Sequence, residues 1–217
     1  YRFRAAKGAD AAEIYLYGPI GKDFWGDGIS SADFAKQFRE LGGPRAIDVR
    51  IDSEGGSVTD ARAIYNLLTQ SRAKINVFVD GFAASAASLV AMAGDEISIG
   101  AGSFIMIHEA RASVSGATAE DMTKWAETLG QINETMVSTY SARCGQPPDK
   151  VRNWMAAETW FAGQDAIDNG FADKLMPDLA AVAYSPRLEC YKNVPDQLKR
   201  LQPNRVRALK LLGEICK

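Results

Sequence analysis

Segments with the pattern of β-strands alternate with segments of helical pattern, and this alternation limits the fold more than any other feature. Runs of aliphatic and aromatic residues predict strands at 13–20, 46–53, 74–81, 95–100 and 103–110. Apolar residues three and four apart predict helices at 30–43 and directly after Gly55-Gly56. Repeated strand–helix units with short connections are typical of an α/β fold with largely parallel strands.

The longest predicted helix runs from Thr118 to Cys144. Its apolar residues form one stripe that consists of Met122, Trp125, Leu129, Ile132, Met136 and Tyr140. Thr118 and Asp121 have the spacing of a capping pair, and Gly145 ends the helix. A single stripe predicts one buried face, which packs either on its own domain or on a partner subunit.

The composition argues against several classes of protein. With 217 residues, 47% of them hydrophobic, the chain can bury a large core, and a net charge of −2 gives no overall case for binding nucleic acid. Its three isolated cysteines predict neither a disulfide framework nor a zinc site. No apolar run approaches the roughly 18–20 residues needed to cross a bilayer. We therefore expect a cytoplasmic protein with no membrane segment and no metal or cofactor.

Basic residues are concentrated at the C-terminal end. Residues 187–217 hold eight basic and three acidic side chains. This segment is expected to be a basic tail, helical in part, that follows a packed domain at residues 1–186. The tail is interpreted either as a solvated terminal helix or as a docking arm.

A serine lies where the strand at 74–81 gives way to a helix. If that helix starts near Ala84, Ser85 lies in its first turn, where free backbone N–H groups can stabilise a developing oxyanion. The small residues around Ser85 would let a peptide approach closely. Small residues also serve tight packing, so these residues alone leave open both an activated nucleophile and buried filler.

The chain has a single histidine, His108, at the end of the strand-like run FIMIH. Serine is a weak nucleophile without a base, and a neutral imidazole can take the hydroxyl proton and return it to the leaving amine. A lone histidine is more often structural than catalytic. Any Ser–His mechanism within this chain nevertheless has to use His108.

Four motifs occur in the order and spacing found in the proteolytic subunit of the Clp protease. They are DSEGGSV (52–58), GFAASAAS (81–88), MIHEA (106–110) and ETWFAGQDAIDNGFAD (158–173). Over roughly residues 13–175 the chain resembles that family. The resemblance implies a crotonase-like α/β fold of repeated β-β-α units with a projecting long helix. It also implies serine endopeptidase activity on protein substrates and a ring-shaped homo-oligomer that encloses its active sites.

The resemblance also implies roles for individual residues. Ser85 takes the position of the nucleophile and His108 that of the general base. The backbone N–H groups of Gly56 and Ala86 take the position of the oxyanion hole, and Gly55 and Gly56 lie beside an extended substrate.

The third member of the triad is a departure from the family. Glu158 stands where the family has aspartate, and glutamate can also orient an imidazole. A shift of one residue would place Thr159 there instead, and Asp165 and Asp168 are further candidate acids.

Other departures make the chain more similar to one subgroup. Glu54 replaces the family's proline, Ala86-Ala87 replaces the usual Met-Gly pair, and the tail is basic. These features resemble the Clp-related head-maturation (prohead) proteases of tailed phages and prophages. In that subgroup, scaffold and capsid proteins are cleaved inside the prohead without an ATPase.

Two other interpretations stay open. The chain could be a housekeeping Clp-like peptidase that depends on an ATPase partner. It could also be a non-catalytic ring or scaffold subunit, which the replacement of the aspartate favours.

Overall fold

A computed structural model describes residues 1–4, 10–22, 28–176, 188, 190–196 and 198 of the chain. The described strands are β1 (Arg2–Arg4), β2 (Ala11–Tyr17), β3 (Ala46–Ser53), β4 (Lys74–Ala84), β5 (Glu96–Gly100), β6 (Phe104–Ile107), β7 (Thr159–Ala162) and β8 (Lys174–Met176). The described helices are α1 (Ser31–Glu40), α2 (Val58–Thr69), α3 (Ala86–Ala91), α4 (Ala119–Cys144), α5 (Pro148–Ala156) and α6 (Gly163–Asp168).

The strands form one mixed sheet in which parallel pairing prevails. The pairs β2–β3, β3–β4, β4–β5, β4–β6 and β5–β8 are parallel. The pairs β1–β2 and β6–β7 are antiparallel. The predicted α/β class with largely parallel strands is confirmed, and this architecture is consistent with the Clp-type fold.

Strand β4 organises the sheet because it has different neighbours along its length. Its residues Asn76–Val79 pair with β5, whereas Phe82–Ala84 pair with β6. On its other side β4 pairs with β3. The C-terminal end of β4 is therefore enclosed by two strands, and all of its last four residues are buried.

The core lies between the sheet and its helices. Every second residue of β3 is buried, with Ile47, Val49 and Ile51 at most 1% exposed. On α2, Ile64 and Leu68 are completely buried three to four residues apart, as the helical pattern predicts. This alternation fixes which face of each element turns inward.

Helix α4 is buried only at its C-terminal end. Met136, Tyr140 and Cys144 are buried, whereas Met122 and Trp125 are 49% and 44% exposed. A capping box of Thr118 and Asp121 begins the helix, as predicted. The apolar stripe thus continues beyond the part of α4 that packs on the described part of the domain, and the first half of the helix projects from it.

Some element boundaries differ from the predictions. The strand predicted at 13–20 is β2, which runs from Ala11 to Tyr17 and ends before Gly18 at φ +92°. The strand predicted at 103–110 is β6, which ends at Ile107. Strand β4 continues to Ala84, so the following helix begins at Ala86 and not near Ala84. The short elements β1, β7, β8 and α6 were not predicted, because each spans too few residues for a hydrophobic period to repeat. Helix α5 was not predicted either, and only Val151 and Met155 are buried on it.

The described part of the predicted tail packs on the domain. Leu188, Val194 and Leu198 are buried in a cluster with Phe82, Ala84, Phe104 and Met106. The helix predicted within the tail falls mostly on residues outside the described ones. In the described part of the chain, no helix combines the length and the apolar character that a membrane span requires.

Candidate active site

The sheet brings three of the predicted site residues to adjacent strand ends. Ala84 pairs with Met106 in the parallel pair β4–β6, so Ser85, one residue on, and His108, two residues on, emerge at adjacent strand ends. Ile107 pairs with Thr159 in the antiparallel pair β6–β7, which sets Glu158 opposite His108. The site is therefore a consequence of strand register.

Ser85 and His108 are in direct contact. Oγ of Ser85 lies 2.7 Å from Nε2 of His108. The backbone N–H of Ser85 donates to Met106 O, and its φ of +55° is a conformation that residues other than glycine rarely adopt. This backbone conformation marks the sharp turn from β4 into α3 and holds the hydroxyl at the entrance of the helix.

His108 is buried and its pKa is low. The side chain is 7% exposed. Burial and the positive charge of Arg111 lower the pKa of His108 to about 4, while the charge of Glu158 acts in the opposite direction. The imidazole is therefore neutral at pH 7, as a general base has to be.

The second nitrogen of this imidazole lacks a hydrogen bond. Nδ1 of His108 is buried and has no partner among the residues that the structure describes. For Ser85 to give its proton to Nε2, the neutral imidazole has to carry its own proton on Nδ1. An acceptor near Nδ1 would fix that tautomer.

Glu158 lies beside His108 but is bound by other groups. Its Oε2 accepts from Arg111 Nη2 at 2.5 Å, and its Oε1 accepts from the backbone N–H of Asn193 at 2.7 Å. Burial raises the pKa of this carboxyl, but the hydrogen bonds from Asn193 and Arg111 outweigh burial and lower it. Glu158 is thus a buried carboxylate, 4% exposed.

The alternative acids are not placed as well as Glu158. Thr159 donates its hydroxyl to Trp154 O at 2.7 Å. Asp165 and Asp168 are exposed on α6, and Asp168 accepts from Gln164 at 2.8 Å. The register of β6 and β7 places only Glu158 of these four residues opposite His108.

The glycine pair predicted to lie beside the substrate, which also supplies Gly56 to the predicted oxyanion hole, lies against the nucleophile. A Cβ on Gly55 would come within 2.8 Å of Ser85 Cβ and 2.9 Å of Ala86 N, so only glycine fits there. Around Gly56, the bonds to Ile20 are made by Gly55 O and Ser57 N. Within the described residues, the N–H groups of Gly56 and Ala86 donate to no other group. Both are therefore available to an incoming oxygen.

The remaining serine of the motif is structural. Ser88 is completely buried, and its Oγ donates to Ser85 O at 2.6 Å and lies 2.8 Å from Tyr140 Oη. Burial raises the pKa of Tyr140 far above its ordinary value. This pair ties α4 to the helix that follows the nucleophile.

A cleft of about 320 Å³ opens over these groups. It is lined by Ser85 and His108, by Gly56 and Ala86, and on the far side by Arg111, Met136, Cys190 and Tyr191. Arg111 and Tyr191 were not identified from the sequence. Arg111 belongs to no motif, and Tyr191 lies in the segment that was interpreted as a tail.

Tyr191 is close to both members of the Ser–His pair. Burial raises the pKa of Tyr191 to about 12, and a hydrogen bond with Ser85 acts against this rise. The ring of Tyr191 meets that of His108 edge to face, with 5.3 Å between the ring centroids. Within the described residues, no cluster of three or more His, Cys, Asp or Glu side chains could hold a metal ion.

Comparison with known proteins identifies the family. The family model described as Clp protease matches residues 30–178. The chain is 29% identical over 134 residues to ATP-dependent Clp protease proteolytic subunit 2 of Thermobifida fusca (strain YX), which covers 61% of the chain and 66% of the relative. It is 30% identical over 142 residues to ATP-dependent Clp protease proteolytic subunit 3 of Rhodococcus jostii (strain RHA1), which covers 64% of the chain and 69% of the relative.

A third relative is the ATP-dependent Clp protease proteolytic subunit of Pleurastrum terricola, which is 30% identical over 150 residues, with 67% of the chain and 70% of the relative covered. The chain thus spans about two thirds of the length of the curated relatives that it matches. The family match includes Ser85, His108 and Glu158 and ends before Tyr191 and Asn193. The chain therefore belongs to the Clp protease family of serine-type endopeptidases.

Proposed function

We propose that this protein hydrolyses peptide bonds with Ser85 as the nucleophile and His108 as the general base. The observation that carries the proposal is the 2.7 Å contact between Ser85 Oγ and His108 Nε2 inside an open cleft. Because the imidazole is neutral at pH 7, it can accept the hydroxyl proton as the serine attacks.

The reaction proceeds in two halves. Ser85 Oγ attacks the carbonyl carbon of the substrate while its proton passes to Nε2 of His108. The N–H groups of Gly56 and Ala86 stabilise the resulting oxyanion. Loss of one such donor typically lowers kcat about 100- to 1,000-fold. The proton then moves from His108 to the leaving amine, the C–N bond breaks, and water releases the acyl group by the same route.

Glu158 is the acid of the proposed triad. It lies opposite His108 by strand register, and its negative charge favours the imidazolium that forms during attack. Its carboxylate has to turn from its present partners towards Nδ1 of His108, which is buried beside it without a hydrogen bond from the described residues.

Protein substrates bind in extended form beside Gly55 and Gly56, where backbone hydrogen bonds add a strand to the edge of the sheet. The subunits assemble into a ring-shaped homo-oligomer. The projecting half of α4 supports this assembly, because Met122 and Trp125 leave an apolar surface exposed on the subunit.

The finer proposal is ATP-independent processing of scaffold or capsid proteins during phage head maturation, in the cytoplasm of a bacterial host or inside the prohead. It is supported by the departures at Glu54 and Ala86-Ala87 and by residues 188–198, which follow the family match. The alternative is a housekeeping peptidase with an ATPase partner. The names of the relatives, which are ATP-dependent Clp protease subunits, favour this alternative.

The catalytic proposal is tested with a fluorophosphonate probe, without ATP, and with mass spectrometry to locate the adduct. We expect an adduct on Ser85 in the wild type and none in Ser85→Ala. His108→Ala should label at least about 100 times more slowly, because the serine loses its base. Ser138→Ala, the same change at an exposed serine of α4, is the matched control and should still be labelled at Ser85. An assembled wild type that never reacts would contradict a competent protease and favour the non-catalytic ring subunit.

The two finer alternatives differ in whether cleavage of a folded protein requires ATP and an ATPase partner. The purified protein is mixed with an unfolded protein substrate and with a folded one, with and without ATP and a Clp ATPase. Specific cleavage of a folded substrate at few sites without ATP supports processing. Degradation of folded substrate only with the ATPase and ATP supports the housekeeping alternative.

A further inference from the structure

We propose that residues 188–198 act as a covering segment, a built-in competitor of the substrate that borders the active-site cleft and keeps Glu158 from hydrogen-bonding to His108. This inference rests on the proposed function of the cleft. It concerns the described residues of that segment, which are 188, 190–196 and 198.

Apolar side chains anchor the covering segment to the domain. Leu188, Val194 and Leu198 are 3%, 7% and 2% exposed. They pack on residues from the ends of β4 and β6, the same strands that present Ser85 and His108: Phe82, Ala84, Phe104 and Met106. Burial of three aliphatic side chains stabilises a defined position for the segment.

Between these anchors, Tyr191 forms part of the cleft wall beside the catalytic pair. Its hydroxyl donates to Glu54 O at 2.6 Å, on the carbonyl that directly precedes Gly55. Its ring contacts the rings of His108 and of Trp160, with 5.9 Å between the centroids of Tyr191 and Trp160. An extended substrate beside Gly55 and Gly56 needs this space and this carbonyl, so Tyr191 and the substrate exclude each other.

The same segment holds the acid of the proposed triad. The backbone N–H of Asn193 occupies Oε1 of Glu158, while Arg111 occupies Oε2. The Asn193 side chain fixes this position by donating to Ala157 O at 2.7 Å. Arg111 itself donates to Cys190 O at 3.3 Å, so the arginine is also bound to the segment. With the covering segment in place, both carboxylate oxygens are engaged and Nδ1 of His108 is left without a partner among the described residues.

The covering segment follows the part of the chain that matches the family. The match ends at residue 178, and the described residues of the covering segment begin at 188. Control of the site is therefore supplied by a part of the chain that the family match does not include. Release of the segment would open the cleft and free Oε1 of Glu158 in one step.

Two measurements on the full chain test this inference. The first is hydrogen exchange of residues 188–198 in the wild type and in Ser85→Ala. It reports whether the covering segment is docked on the domain, and it does not depend on catalysis. The second is the rate at which the fluorophosphonate probe labels Ser85 in Tyr191→Ala and in Val194→Asp. Tyr191→Ala removes the ring from the cleft wall, and Val194→Asp detaches the segment. Lys192→Ala is the matched control, because this exposed residue lies in the same segment.

We expect the amides of the segment to be protected in the wild type and in Ser85→Ala, and to exchange rapidly in Val194→Asp. Labelling should be about tenfold faster or more in Tyr191→Ala and Val194→Asp than in the wild type, and unchanged in Lys192→Ala. Rapid exchange of the segment in the wild type overturns the inference, whatever the activity. A protected segment with equal labelling rates in the wild type and Tyr191→Ala overturns it as well. A protected segment without labelling of any variant overturns instead the proposed protease function, and with it the control of that function.

Discussion

Arg111 and Glu158 form a salt bridge, with 2.5 Å between Nη2 and Oε2, directly beside the imidazole of His108. The guanidinium has two opposite effects on the proposed catalytic base. Its charge lowers the pKa of His108, which keeps the base neutral, and its hydrogen bond holds the carboxylate that would stabilise the imidazolium. The position of this arginine therefore sets how strongly Glu158 can support catalysis.

Replacement of Glu158 by glutamine tests the assignment of the acid. We expect Glu158→Gln to lower peptide hydrolysis roughly 100-fold or more, because a neutral amide cannot stabilise the imidazolium. Asp168→Asn is the matched control, since it makes the same chemical change on an exposed acid of α6. Steady-state kinetics on a fluorogenic peptide gives both values. Equal activity of Glu158→Gln and wild type would remove Glu158 from the triad.

The pH dependence of labelling tests the influence of Arg111. Labelling of Ser85 requires neutral His108, so its rate falls as the pH falls through the pKa of the imidazole, which is about 4 in this structure. Arg111→Met removes a charge that lowers this pKa, and the acidic limb of the profile should therefore move to higher pH. Arg72→Met, an exposed arginine that precedes β4, should leave the profile unchanged. A profile of Arg111→Met that coincides with the wild type would show that the arginine does not act on His108.

A methyl group on Gly55 should displace the nucleophile. The Cβ of Gly55→Ala would lie 2.6 Å from Ala84 O and 2.8 Å from Ser85 Cβ, at a φ of +96°. We expect labelling to fall at least about tenfold and the free energy of unfolding to decrease by about 1–3 kcal/mol. Gly43→Ala is the control, because Gly43 has a φ of +74° and no atom within 4 Å of the added Cβ. Denaturant titration and probe labelling separate the loss of stability from the loss of alignment. Normal labelling in Gly55→Ala would mean that the loop moves without consequence for Ser85.

A charge on the exposed stripe of α4 tests the proposed assembly. Trp125 is 44% exposed in the subunit, so Trp125→Glu should leave the fold stable while it weakens subunit association. Thr123→Glu adds the same charge about 200° around the helix and should assemble as the wild type does. Analytical ultracentrifugation at several protein concentrations measures subunit association in both variants. Identical sedimentation of both variants would exclude this part of α4 from the interface.

The sequence predicts the sheet and the Ser–His pair because both depend on local patterns. The strand at 46–53 has a clean alternation of buried and partly buried residues, and the structure has β3 at the same bounds. The long helix is delimited by its own capping box and by Gly145 in the left-handed conformation at φ +68°. Ser85 and His108 each lie within a recognisable motif, and the pairing of β4 with β6 brings them together.

The surroundings of this pair could not be predicted in the same way. The bonds of Glu158 to Arg111 and Asn193 join residues 47 and 35 positions apart in the chain, and no periodicity records such contacts. Tyr191 and Asn193 lie in a short irregular segment whose basic composition favoured a solvated tail. Burial of that segment depends on an apolar surface at the ends of β4 and β6, which exists only once the sheet has formed.

The hydrogen bonds of Ser88 have a mechanical consequence. Tyr140 and Trp125 lie on one continuous helix, about 22 Å apart at 1.5 Å per residue. Towards the N-terminal end of this helix, the apolar side chain of Trp125 is exposed. Near its C-terminal end, the Tyr140 hydroxyl contacts Ser88, which in turn donates to the carbonyl of Ser85. A contact made at the exposed end is therefore connected, through one continuous helix and two hydrogen bonds, to the peptide unit that follows the nucleophile.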